Sequence, residues 1–293
     1  MKNPSIFFAD SKPFTQLVGL CLLLLMGFIF VVALQMCFAV PQPNDPTTIR
    51  INLLWQACSQ ICIFLIPTLV FAKLFHGSLS RFFHMDFHGR KWLLGLISIV
   101  ILLVLTPLID WLTYWNEQWQ LDSMWEYLRQ QSVRSEELTQ KLLSLSSPVD
   151  LMLQLLLVAL VPAICEEFFF RGALQQILQA WFRNMHVAVV VTALLFSLAH
   201  GDVNGLVPRF VLGLLLGYFF ASSGSIVVNI CAHFFNNAMV VVLYYLYHSQ
   251  QIFLDPSEPL FFSWTTTIIS GLSALMLFIV YFTKILQTNR PKK

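Results

Sequence analysis

Apolar runs long enough to cross a bilayer recur along the whole chain, near residues 17–40, 53–75, 92–112, 150–166, 186–200, 208–222, 226–247 and 261–283. A helical span takes about 20 such residues, because each advances about 1.5 Å through roughly 30 Å of hydrocarbon. In lipid every backbone N–H and C=O must be paired within the protein, so runs of this length fold as helices. The fourth and fifth runs are short or interrupted by charge. Counting them both gives an all-α polytopic membrane bundle of about eight transmembrane helices. The first run far exceeds the ~7–15 residues of a signal h-region and reads as a retained span.

The rest of the composition agrees. Of 293 residues, 57% are apolar and 11% charged. A soluble domain carries about 25% charged residues, so lipid must cover much of this surface. The net charge of +2 and the lack of a basic block argue against nucleic acid as a partner. Six cysteines (Cys21, Cys37, Cys58, Cys62, Cys165, Cys231) sit in apolar runs without a CxxC pair and read as inert thiols.

The loops set the orientation. Segment 73–91 holds Lys73, Arg81, Arg90 and Lys91 against Asp86, and the C-terminal tail holds Lys284, Arg290, Lys292 and Lys293. Lys2 and Lys12 precede the first span, whereas segment 248–260 has Asp255 and Glu258 and no Lys or Arg. The positive-inside rule then predicts both termini in the cytoplasm. Segment 113–149 falls outside; with Trp115, Trp119 and Trp125, and Trp111 just before, it is expected to lie along the outer surface as short amphipathic helices. No internal repeat, low-complexity tract or second soluble domain is visible, so the chain reads as a single membrane domain, 1–293.

Ionisable groups inside apolar helices cost at least about 2.5–3.5 kcal/mol each, and three clusters carry that cost. In Glu166-Glu167-Phe168-Phe169-Phe170-Arg171, Glu167 and Arg171 lie roughly 40° apart on a helix, well placed to pair, while Glu166 points elsewhere. This spacing predicts that Glu167 and Arg171 neutralise each other and leave Glu166 free for chemistry. His200 closes the uncharged run Val187–Leu195. His233 and Asn237 share one helix face, which Asn229 extends a turn back. Taken singly, a lone histidine or polar stripe in a membrane helix more often holds helices together. Together the groups suit a hydrolytic site, with a carboxylate and a histidine to activate water and a histidine and an amide to meet an oxyanion. One Glu and two His also suit zinc with an open position for water.

These residues resemble a known family. Glu166-Glu167-x-x-x-Arg171, Phe196-x-x-x-His200 and His233-x-x-x-Asn237 are similar, in that order, to the three motifs of the CAAX-protease and bacteriocin-processing (CPBP, former Abi) family of intramembrane endopeptidases, which includes the type II CAAX prenyl proteases. The resemblance spans residues 166–237. It implies that Glu166 and His200 activate the attacking water, that His233 and Asn237 stabilise the oxyanion, and that Glu167 and Arg171 support Glu166. Either a glutamate-based or a metallo mechanism fits; a zinc ion, if used, would be held by Glu166, His200 and His233. The implied partners are a peptide or lipidated-protein substrate and the bilayer; the short basic tail and the lack of a eukaryotic targeting signal point to a bacterial inner membrane as the location. On this reading 150–247 is the catalytic core, 1–149 supplies N-terminal helices and the outer segment, and 248–293 a final helix and basic tail. Two competing readings are a proton-coupled transporter and a non-catalytic bacteriocin self-immunity protein.

One expectation sits badly with the motifs. If the fourth span ends at Glu166 and the fifth near His200, about 15 Å of depth separates them, unless Pro162 bends the helix or 172–186 runs deeper. Elsewhere, His76, His84 and His88 in the basic loop read as incidental rather than metal-binding. Gly213 and Gly217 form a GxxxG pair expected to pack helices closely within the bundle. Asp110 and Trp111 are expected to mark the outer end of the third span.

Overall fold

Each apolar run closes its backbone hydrogen bonds internally, and a computed structural model of the protein shows how the runs assemble. It describes residues 8, 11–119, 123–256 and 263–288, with side chains as far as residue 283. The described helices are α1 (Pro13–Cys37), α2 (Pro46–Phe75), the short α3 (Leu79–Phe82), α4 (Lys91–Glu117), α5 (Ser123–Leu142), α6 (Pro148–Phe182), α7 (Met185–Ala199), α8 (Leu206–Ser223), α9 (Ile226–His248) and α10 (Trp264–Thr288). Seven of them are long and apolar enough to cross a membrane; α7 is apolar but shorter. The protein is thus a polytopic helical membrane bundle. Outward-facing Leu22, Met26, Ile29, Ile268, Leu272 and Met276 are all more than half exposed, as a lipid-facing surface requires.

Two expected boundaries move. The fourth helix does not stop at the glutamates but runs on to Phe182, because its charges are paired inside the protein. The third runs past Trp111 to Glu117, and the segment expected to hold short amphipathic helices forms one 20-residue helix, α5. Wide π-type turns at Ile61–Leu65 and Leu155–Leu160 end two residues before Pro67 and Pro162. A proline inside a helix loses one N–H and crowds the preceding turn, and a π-turn is a common way to absorb that. A third π-turn, Phe170–Gln175, carries Arg171.

Helices α6 and α7 form a hairpin. Its turn is tight: Arg183 adopts a left-handed conformation at φ 53°, and the Asn184 side chain caps α7 by accepting from the N–H groups of His186 and Val187. Glu166 lies sixteen positions before Phe182, and His200 fifteen after Met185. Counted from the shared turn, the two reach the same depth, so the expected 15 Å offset does not arise.

Helix α8 returns beside α7. A methyl group added at Gly213 would lie 3.0 Å from Ala193 Cα, and one at Gly217 would lie 2.8 Å from Val189 Cγ1. The GxxxG pair therefore lets α8 lie directly on α7 within the bundle.

Candidate active site

The site is built from the middle of α6 outward. Glu167 and Arg171, four residues apart, are both fully buried and bond through Oε1 and Nη1 at 2.8 Å. The same carboxylate gathers two groups from α9. His233 Nδ1 lies 2.8 Å from Oε1, and Asn229 Nδ2 donates to Oε2 at 3.1 Å and to the Leu216 carbonyl at 2.6 Å. Arg171 Nη2 donates to the Gly213 carbonyl at 3.1 Å, and its guanidinium lies 4.7 Å from the Phe196 ring centre. One ion pair thus ties α6, α7, α8 and α9 together. Removing either partner would strand a buried charge.

Glu166 faces a different set of groups. It is 7% exposed, and its Oε2 lies 4.0 Å from His200 Nε2 and 3.8 Å from His233 Nε2. These gaps are too long for direct hydrogen bonds and suit a bridging water. The His200 tautomer follows from its partner. Nδ1 lies 2.8 Å from the Phe196 carbonyl, which can only accept, so Nδ1 carries a proton and neutral His200 presents a lone pair on Nε2. His233 is held the same way: its Nδ1–H donates to Glu167, and its Nε2 faces Glu166.

These groups line a cavity of about 520 Å³, with Phe196, Asn236 and Asn237 beside them. Asn237 stands one turn beyond His233 on α9. The cavity continues past Thr113 and Glu117 of α4 and Ser135 and Glu136 of α5 to the loop after α7. That loop is pinned from both sides. Asn116 donates to the Val203 carbonyl at 2.9 Å and accepts from Val207 N–H at 2.8 Å, while Ser132 Oγ accepts from Val203 N–H at 2.9 Å. Asp202 pairs with Arg209 across the loop. Burial alone would raise the Asp202 carboxyl, but Arg209 and the hydrogen bonds of the loop outweigh it and hold it below the usual carboxylate range.

All six residues singled out by sequence, Glu166, Glu167, Arg171, His200, His233 and Asn237, are brought to this one region from two helices, α6 and α9, and the end of α7. Sequence reasoning passed over Asp202, Arg209, Asn116 and Ser132. Arg209 alone carried a signal, as a cation inside an apolar run. His76, His84 and His88 lie elsewhere; His76 stacks on Phe82 with ring centres 4.0 Å apart.

The donors fit zinc poorly. A tetrahedral zinc with ligands near 2.0–2.2 Å keeps its donor atoms roughly 3.4 Å apart; here Glu166 Oε2 stands 3.8 and 4.0 Å from the two imidazoles. Among the described residues, no group of three His, Cys, Asp or Glu side chains is arranged to hold a metal.

Fold and site together define a helical membrane protein with a carboxylate and two imidazoles around an internal cavity. Residues 148–239, from the start of α6 to Met239 on α9, match the family of type II CAAX prenyl endopeptidases, Rce1-like. That segment contains all three motifs. No curated protein and no solved structure matches the chain.

Proposed function

We propose that the protein is an intramembrane endopeptidase that hydrolyses a peptide bond of a membrane-associated substrate with a water activated by Glu166 and His200. The substrate class we assign is a lipid-tailed or bacteriocin-like polypeptide, and the membrane is the inner membrane of a bacterium, with both termini in the cytoplasm. The observation that carries this reading is the spacing of Glu166 Oε2 from His200 Nε2, 4.0 Å, inside a cavity deep in the bundle.

A water between these atoms donates one hydrogen to the carboxylate and one to the Nε2 lone pair. As its oxygen bonds to the scissile carbonyl carbon, Glu166 takes the proton and the carbonyl electrons move onto oxygen. The resulting oxyanion meets the Asn237 amide and His233 Nε2. For Nε2 to donate while Nδ1–H is held by Glu167, His233 must be an imidazolium. That cation balances the second carboxylate of a site that otherwise holds two against one guanidinium. The C–N bond then breaks as Glu166 returns its proton to the leaving nitrogen.

Comparative peptide profiling of membranes from cells with the native protein or Glu166→Gln tests the reading. Cleavage products present only with the native protein are expected. Indistinguishable profiles would remove the peptidase assignment.

A further inference from the structure

The bundle has two ends of different charge, and the cavity reaches only one of them. At one end stand Lys12, Lys73, Arg81, Arg90, Lys91 and Arg183, with Asp86 as the acid among the described residues there. Contacts in the structure join this end. Lys91 Nζ donates to the Gly224 carbonyl at 3.0 Å, Ile226 N–H donates to the His84 carbonyl at 3.2 Å, and Trp181 packs on Phe14 with ring centres 5.7 Å apart. In sequence, Arg290, Lys292 and Lys293 follow α10, a helix that starts from the opposite end.

That opposite end is acidic and rich in indole. Asp45, Glu117, Glu126, Glu136, Glu137 and Asp255 are found there. Of the five cations among the described residues there, Arg50 and Arg209 are each held by a carboxylate, Asp150 and Asp202, and Arg129, Arg134 and Lys141 lie along α5 with Glu126, Glu136 and Glu137. Trp111 stacks on Trp115 and packs against Trp264, and Trp115 meets Trp119, which meets Trp125. Such a row of indoles marks a membrane–water interface. The cavity is lined from this end, by Thr113, Glu117, Ser135, Glu136, Asp202 and Asn204. Among the described residues, none of the basic-end side chains borders it.

Short loops rich in Lys and Arg stay in the cytoplasm. We infer that the cavity opens on the extracytoplasmic face, so that the site receives an exported polypeptide held at the outer leaflet and not a cytosolic protein. The word substrate rests on the peptidase reading; the face rests on charge and topology alone.

The test is cysteine labelling of the full-length protein in cells. Glu137→Cys sits on α5 outside the cavity, Thr113→Cys lines the cavity, and His88→Cys lies in the basic loop. A charged, membrane-impermeant maleimide is applied to intact or permeabilised cells, and peptide mass spectrometry reads each site apart from the six native cysteines. The expected result is labelling at positions 137 and 113 in intact cells, with position 88 rising at least tenfold only after permeabilisation. Labelling of position 88 in intact cells, or of position 113 only after permeabilisation, would overturn the orientation. Labelling as expected, with identical peptide profiles for native protein and Glu166→Gln, would overturn the substrate and leave the orientation.

Discussion

The Nδ1 of His233 lies 2.8 Å from Oε1 of Glu167, although the two stand 66 positions apart on different helices. The bond fixes the imidazole so that Nε2 faces Glu166 at 3.8 Å. On the proposed mechanism Glu167 touches no reacting atom and acts as a positioning residue. Its loss should be felt as a disordered imidazole and a stranded charge.

Two substitutions separate these effects. Glu167→Gln keeps the shape but removes the charge opposite Arg171 and His233, and is expected to lower kcat by about 10²-fold or more with little change in KM. Arg171→Met leaves Glu167 buried without its guanidinium and should cost about 3–5 kcal/mol of stability. Chemical unfolding in detergent, together with kinetics on a peptide found by the profiling, reads both. An Arg171→Met protein as stable as the native one would show that the pair does not hold the helices.

Gly213→Ala tests the contact that brings α8 onto α7. The added methyl would meet Ala193 Cα at 3.0 Å and shift the backbone whose Gly213 carbonyl holds Arg171. A loss of about 1–3 kcal/mol is expected, with reduced activity because α7 also carries His200. Gly95→Ala, where an added Cβ meets nothing within 4 Å, is the matched control and should leave both unchanged or slightly raise stability. Equal effects at the two positions would contradict the packing argument.

Much of this arrangement was legible in the sequence, and the reasons differ by residue. The pairing of Glu167 with Arg171 follows from helical geometry alone, since four residues make about one turn. The spans followed from hydropathy because lipid leaves the backbone few choices. The end of the fourth span did not, because hydropathy treats a charge as a boundary, whereas Glu167 and Arg171 are neutralised within the bundle and the helix runs through them. Ser132 and Asn116 were invisible for a different reason. They bond to backbone atoms of a loop 71 and 87 positions away, and no local pattern encodes such a partner.

Asp202 links the loop after α7 to pH. Its carboxyl is held below the usual range in the folded protein, so its stabilising contribution is fully present above the unfolded value of about 3.9 and is lost as pH falls through the lower folded value. Asp202→Asn should therefore lower Tm by a constant amount between about pH 5 and 8. The gap to the native protein should close below about pH 4. A gap that persists at low pH would mean the side chain acts through shape and not through charge.

The most direct measurement compares purified native protein with Glu166→Gln and His200→Ala in liposomes, on a peptide identified by the profiling. Both variants should keep the native Tm within a few degrees. Glu166→Gln should hydrolyse the peptide about 10³-fold more slowly or worse, and His200→Ala about 10²-fold more slowly. Native turnover by a folded Glu166→Gln protein would contradict the account.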